Sequence, residues 1–123
     1  MERVTGIGGA FFRAKDPLAL AHWYRDHLGI DSGVDGETLW TQEPGPTVFA
    51  PFPPDTAKFS LKQACMFNFR VRDLDAMLTQ LRAAGIVIDK VDDYEYGRFG
   101  WITDPEGNSI ELWEPIDPSA RSQ

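Results

Sequence analysis

The sequence has few of the features that mark secretion, membrane insertion or nucleic-acid binding. Cysteine occurs once, at Cys65, which excludes an internal disulfide, and no apolar run reaches the roughly 18 residues of a spanning helix. Lysine and arginine total 12 against 19 acidic residues, for a net charge of -7. Because clustered basic side chains provide most affinity for phosphates and anionic lipids, we predict neither nucleic acid nor a membrane as partner. Residues 1–9 lack a signal-peptide core, so we expect a cytoplasmic location.

The composition supports one hydrophobic core. The 123 residues are 42% hydrophobic, which predicts a single domain over residues 1–123 and leaves no room for a second. Aromatic residues are abundant, with four tryptophans, three tyrosines and eight phenylalanines. These rings either fill the core or line a pocket for a planar or apolar molecule, and for any single ring both interpretations stay open.

A strand followed by a helix is predicted near the N-terminus. Residues 9–15 are strand-like, and Asp16 with Pro17 is typical of a helix N-cap and first helical position. Apolar residues then recur at three- and four-residue spacing as far as Leu28, and Gly29 can adopt the left-handed conformation that ends a helix. The pattern therefore predicts a helix from Pro17 to Leu28.

The same pattern returns in the second half of the chain. Residues 66–72 are strand-like, Asp73 is a second N-cap, and an apolar helical stripe runs on to Gly85. Residues 12–16 align without a gap with residues 69–73, so the chain contains an internal repeat.

Short β-type stretches follow each helix, at residues 37–42, 47–50, 99–103 and 109–114. Each half is predicted to be a βαβββ module, of which the pattern locates two of the three strands after the helix, with module one over about residues 6–54 and module two over about residues 64–115. The prolines between residues 44 and 54 restrict that segment to an edge strand leading into a linker. We expect the tail, residues 116–123, to be frayed.

The closing segment, residues 96–112, is the most specific motif. Its Asp104-Pro105-Glu106-Gly107-Asn108 stretch predicts a turn between two strands, because proline presets φ and glycine or asparagine tolerates positive φ. Together with the Ile-Glu-Leu strand that follows and the internal repeat, this hairpin resembles the closing hairpin of the vicinal oxygen chelate superfamily, which includes glyoxalases, bleomycin-resistance proteins and extradiol dioxygenases. The resemblance covers about residues 6–115.

The resemblance implies an α+β fold in which two βαβββ modules form a curved, incomplete eight-stranded barrel. The helices lie on its convex side and the site on its concave side, and members of this size usually form homodimers. Alternation along the last strand points Glu111 and Trp113 into the cleft. If residues 104–108 form a five-residue loop, Thr103 pairs with Ser109, and Trp101 and Phe99 lie opposite Glu111 and Trp113.

Metal-dependent members take ligands from the first and last strands of each module. The resemblance places these four positions at Gly9, Met66, Thr47 and Glu111. Of these four residues, only Glu111 has a side chain that suits a divalent metal. One carboxylate does not hold a divalent ion, since chelation requires several donors at about 2 Å. Both histidines, His22 and His27, fall on the first predicted helix. We predict no cofactor, although a divalent metal completed by other residues stays open as the alternative.

We predict that aromatic and polar side chains line the cleft around Glu111, the candidate catalytic residue. The predicted ligand-binding residues are Phe11, Trp40, Phe49, Met66, Asn68, Arg98, Phe99, Trp101 and Trp113. Residues 94–98 form either a lid or an ordinary loop, and Arg98 could bind a ligand carboxylate. Glu111 could instead form an ion pair with Arg13 or Arg70.

Three functions follow from these residues. The first is a metal-independent small-molecule-binding protein that resembles the bleomycin-resistance branch and takes a planar, apolar or cationic ligand. The second is a lyase, isomerase or dioxygenase that uses Glu111 as base or metal ligand. The third is a module that only dimerises or assists another protein. The sequence does not identify the ligand.

Overall fold

The computed structural model describes residues 1–31 and 39–116 of the chain. Its regular elements are helix α1 (Pro17–Leu28), strand β1 (Phe67–Arg70), helix α2 (Leu74–Ala83), and strands β2 (Lys90–Tyr94), β3 (Gly97–Thr103) and β4 (Ser109–Pro115). Neither helix in this part of the chain is long and apolar enough to cross a membrane. The cytoplasmic location stays a prediction, and the expected frayed tail lies, apart from Ile116, outside the described residues.

Both helices begin at the predicted aspartate caps. The side chain of Asp16 accepts a hydrogen bond from the backbone N–H of Ala19 at 3.1 Å, and that of Asp73 accepts from Ala76 at 3.0 Å. Helix α1 ends at Gly29, whose φ of 70° is left-handed. The predicted bounds of α1 are confirmed. Asp16 and Pro17 fix the start of the helix, and Gly29 fixes its end.

The four strands form one open, mixed sheet in the order β1-β4-β3-β2. Strand β1 runs parallel to β4, and the other two pairs are antiparallel. Thr103 pairs with Ser109, so Trp101 lies opposite Glu111 and Phe99 opposite Trp113, and the predicted register is confirmed. The five-residue loop determines this register.

A buried carboxylate organises that loop. Asp104 is only 4% exposed, and its side chain accepts hydrogen bonds from the backbone N–H groups of Glu106 and Asn108, both at 2.9 Å. It also accepts from the Asn108 side chain and from the Tyr24 hydroxyl, both at 2.8 Å. The loop between β3 and β4 is thereby attached to α1.

One face of the sheet packs against the helices. The residues of this core cluster come from α1, α2, β3 and β4: Leu20, Tyr24, Leu74, Leu78, Leu81, Ile102, Ile110 and Leu112. Gly100 lies directly under α2, where a Cβ atom would be 3.2 Å from Leu78. The helix layer therefore covers the even-numbered positions of β3 and β4.

The α+β class is confirmed, but the predicted two-module, eight-stranded barrel is not, because the sheet has four strands and is not closed. Residues 9–15, 39–42 and 47–50 carry no strand, although all three were expected to be strands; residues 37 and 38 lie outside the described part. A strand requires a neighbouring edge for its N–H and C=O groups, and alternation alone provides none. The prolines of residues 44–54 also lack the N–H that a ladder needs.

Candidate functional site

Alternation along the strands creates a second sheet face, away from the helices. We call it the open face and define it by its residues Asn68, Arg70, Lys90, Asp92, Phe99, Trp101, Glu111 and Trp113. Their neighbours Gly100, Ile102 and Ile110 are buried on the helix side, so these side chains point in the opposite direction. All aromatic side chains of β3 and β4 lie on the open face, together with Glu111, whereas the charged residues Arg98 and Glu114 lie on the helix side.

The register arranges the open face in two rows that run across the four strands. The first row is Asn68, Glu111, Trp101 and Lys90, and the second is Arg70, Trp113, Phe99 and Asp92. Directly paired side chains are about 4.5–5.5 Å apart at Cβ, which is close enough for contact. In the first row one ring, Trp101, lies between Glu111 and Lys90, and in the second row two rings lie between Arg70 and Asp92.

Glu111 is half-buried and is oriented by one amide. The side-chain Nδ2 of Asn68 donates a hydrogen bond to Oε1 of Glu111 at 2.5 Å. Within residues 1–31 and 39–116, no ion pair includes Glu111. The alternative ion pair with Arg70 is not formed, because the Arg70 guanidinium donates to the backbone carbonyl of Glu43 at 2.9 Å. The carboxylate is therefore available to a positively charged group.

Phe99 is the centre of an aromatic cluster on the open face. Its ring is stacked with Trp101 at 6.0 Å between centroids and with Trp113 at 6.2 Å, with interplanar angles of 20° and 7°. Tyr94 and Tyr96 meet the Phe99 ring edge-on at 5.7 and 6.1 Å. The rings thus form a continuous apolar surface beside Glu111.

Trp113 is packed closely against the β2–β3 hairpin. Its Nε1 is buried and has no hydrogen-bond partner among the described residues. A Cβ atom at Gly97 would lie 2.4 Å from that Nε1, so only glycine leaves room for the indole. Residues 95 and 96 form the tight turn of this hairpin. Residues 94–98 thus belong to a β-hairpin with a tight turn, and whether this hairpin acts as a lid stays a prediction.

Arg98 is not on the open face. It begins the even-numbered side of β3, where its guanidinium pairs with Asp75 of α2 at 3.0 Å and with Asp93 at 2.9 Å. Hydrogen bonds to these two carboxylates raise its pKa above the ordinary value. The prediction that Arg98 binds a ligand carboxylate at the cleft does not fit this geometry, because the side chain is on the helix side and already paired.

Three predicted aromatic residues of the first half are not brought to the open face. Phe11 and Phe49 are 99% and 87% exposed, and Trp40 meets Phe69 edge-on at 6.3 Å on the helix side of β1. Met66 lies just before β1 and is half-buried, with its sulfur 4.0 Å from the Ser109 hydroxyl. Of the predicted ligand-binding set, the sheet brings Asn68, Phe99, Trp101 and Trp113 together around Glu111.

Sequence reasoning missed Lys90. Its ammonium is 5.4 Å from the centroid of the Trp101 ring and 3.0 Å from the Asp92 carboxylate. The hydrogen bond and charge of Asp92 raise the pKa of Lys90. The signal was the alternation of Lys90, Asp92 and Tyr94 in a stretch for which we had predicted no strand.

The positions that the resemblance assigns to metal ligands do not fit a divalent ion. Glycine has no side-chain donor, the Met66 thioether is a soft ligand, and a threonine hydroxyl is a weak one, which leaves Glu111 as the one suitable donor of the four. In the described part of the chain, no three His, Cys, Asp or Glu side chains are grouped as metal ligands. The chemistry of the open face is therefore that of rings, one amide and charged side chains.

Comparison with known proteins identifies relatives by family and by fold. The family model described as "Glyoxalase-like domain" matches residues 9–113. Among solved structures, the fold is similar to a glyoxalase/bleomycin resistance protein/dioxygenase superfamily member from Sphaerobacter thermophilus, with a TM-score of 0.57, 19% identity, and 90% of this chain and 98% of that chain covered. No curated protein matches the sequence.

Two further solved structures have named activities. A lactoylglutathione lyase from Agrobacterium tumefaciens has a TM-score of 0.58 and 22% identity, with 91% of this chain and 95% of that chain covered. An antibiotic-binding protein from Streptomyces sp. CB03234 has a TM-score of 0.55 and 20% identity, with 90% and 100% covered. At these identities the similarity concerns the fold alone.

Proposed function

Given that this chain belongs to the glyoxalase-like domain family, within the vicinal oxygen chelate superfamily, we propose that it binds a planar or apolar small molecule, preferably a cation, without a metal. The observation that supports this most is Glu111, a half-buried carboxylate that lies between Asn68 and Trp101 and has no ion pair in the described residues. Such a carboxylate favours a positively charged ligand.

Two contacts contribute to the free energy of ligand binding. A cation over an indole within about 6 Å gains roughly 0.5–2 kcal/mol, and Trp113 and Phe99 offer such ring surface next to Glu111. A partly buried carboxylate adds a charge-assisted contact worth about 1.5–3 kcal/mol. Together these contacts favour a ligand with one positive centre and a flat apolar body.

The fold is compatible with this function. An antibiotic-binding protein shares it, so the fold accommodates the binding of a small molecule. The donor set at the four metal-ligand positions supports a mode of binding that depends on rings and on Glu111 rather than on chelation of ligand oxygens.

We further propose that the chain functions as a homodimer in which the ligand binds in a cleft between the open face and a partner, whose strands complete the eight-stranded arrangement. Large apolar side chains of the first half, among them Phe11 and Phe49, are exposed in the part of the chain that the structure describes. Among residues 1–31 and 39–116, no strand pairs with the outer edge of β1. Light scattering should give twice the chain mass of 13.8 kDa. Phe49→Ser should weaken the dimer, whereas Val87→Ser should not, because Val87 is also largely exposed but lies in the second half.

An enzyme that uses Glu111 as general base is the second candidate. Its support is the Asn68 hydrogen bond, because a catalytic base must be held in one orientation. Such an enzyme would bind its substrate on the same open face but would also convert the substrate to a product. Product formation that Glu111→Gln abolishes, without loss of substrate binding, would favour this candidate.

The binding proposal is tested by tryptophan fluorescence with a panel of aromatic cations and of neutral molecules of the same shape. Trp101 and Trp113 lie on the open face, so occupancy should change their emission. Elemental analysis of protein purified without chelator provides the second arm. We expect cation-dependent quenching and no stoichiometric metal. Silence across the panel, or one metal ion per chain, contradicts the proposal.

A further inference from the structure

Strand β2 forms one side of the open face, and its side chains there are tied together. The Lys90 ammonium is 3.0 Å from the Asp92 carboxylate. The Tyr94 hydroxyl donates to the same Asp92 oxygen at 3.3 Å, and the Tyr94 ring meets Phe99 edge-on. Asp92 therefore holds a cation on one side and a ring on the other.

This arrangement places a positive charge on Trp101. The Lys90 ammonium is 5.4 Å from the indole centroid, within the distance at which a cation is attracted to a ring face. Lys90 therefore already occupies a position that a ligand cation would otherwise take. Glu111 lies on the other side of Trp101, in the same row.

We propose that Lys90 is a specificity-determining residue that restricts the open face to ligands with a single positive charge, held at Glu111. This inference rests on the proposed function and defines its ligand class as a planar monocation. The separation between Glu111 and Lys90 is two strand spacings, about 10 Å. A second positive charge on a flat ligand anchored at Glu111 is thus directed towards the Lys90 ammonium and is repelled.

Stability does not account for the Lys90–Asp92 pair. The Lys90 side chain is 64% exposed, and ion pairs at such positions contribute little to folding. The Lys90–Asp92 pair lies beside the aromatic rings, so it changes the electrostatic potential at the ligand-binding surface instead. Removing Lys90 would also leave the Asp92 carboxylate without a cationic neighbour, so that it would attract the second charge of a dication.

Two probes of nearly the same shape separate these effects. N-methyl-4-phenylpyridinium is a flat two-ring monocation, and methyl viologen is the corresponding dication. We expect wild-type protein to prefer the monocation. Lys90→Met should shift the ratio of the two dissociation constants about tenfold towards the dication. Lys90→Arg should keep the wild-type ratio, and Asp92→Asn should shift it further towards the monocation.

The outcomes distinguish this inference from the proposed function. If the probes bind and weaken with Glu111→Gln, but Lys90→Met leaves their ratio unchanged, the specificity role is refuted and the binding function stands. If neither probe binds wild-type protein, both fail. Circular dichroism of each variant should match wild type, because Lys90 and Asp92 lie on an edge strand outside the core cluster.

Discussion

Replacing Tyr24 by phenylalanine tests the contact that joins α1 to the β3–β4 loop. Tyr24 is buried, and its hydroxyl donates to the Asp104 carboxylate at 2.8 Å. The variant keeps the ring and removes one hydrogen bond to a charged acceptor, worth about 1.5–3 kcal/mol. Three other hydrogen bonds to Asp104 remain, so we expect a loss at the lower end of that range, near 1.5 kcal/mol.

Urea denaturation followed by far-UV circular dichroism measures this loss. A chain of this length has a total stability of about 6–18 kcal/mol, so the change is a measurable fraction. Tyr96→Phe is the matched control, since Tyr96 is 63% exposed. We expect the control to change the free energy of unfolding by less than about 0.5 kcal/mol.

The same contact makes stability depend on alkaline pH. Burial, and then the hydrogen bond and charge of Asp104, raise the pKa of Tyr24 well above its ordinary value of 10.0. The folded chain therefore keeps the phenol proton where the unfolded chain releases it. This contribution to stability is complete below about pH 10 and is lost as pH rises above it. Tyr24→Phe should reduce this decline, with a remainder from Lys90 and Tyr94, whose pKa values are also raised. Equal declines in both proteins would refute the reasoning.

Two further substitutions test the geometry around the site. Gly97→Ala should destabilise the fold by about 1–3 kcal/mol, because its Cβ would collide with the Trp113 indole, whereas Gly8→Ala, with open space around it, should be neutral in the same thermal melts. Arg98→Gln should leave cation binding within about twofold of wild type and lower stability by no more than about 1 kcal/mol, since both of its partners, Asp75 and Asp93, are largely exposed. A larger loss of binding in a calorimetric titration would show that Arg98 takes part in the site.

The parts of the fold with local chemical signals could be predicted from sequence. Asp16, Pro17 and Gly29 define α1 because caps act within a few residues of themselves. The loop of residues 104–108 fixed the pairing of Trp101 with Glu111 because loop length determines register. Both predictions rested on residues that are close together in the sequence.

The parts of the fold that depend on contacts with residues distant in the sequence could not be predicted. Residues 9–15 and 47–50 have strand-like sequences, but a strand forms only against another backbone, and local sequence does not specify which chain provides it. Lys90 was missed because its role comes from pairing with Trp101 on the next strand. Arg98 was misplaced for a simpler reason. Extending the alternation of Phe99 and Trp101 by one residue would have put it on the helix side.

Isothermal titration of N-methyl-4-phenylpyridinium into wild-type and Glu111→Gln protein tests the central claim most directly. Glutamine preserves the size of the side chain and removes only its charge. We predict saturable binding by the wild type and a loss of about 1–2 kcal/mol in the variant, roughly a 5- to 30-fold weaker dissociation constant. Equal affinity for both proteins, or no binding by either, would contradict a cation site at Glu111.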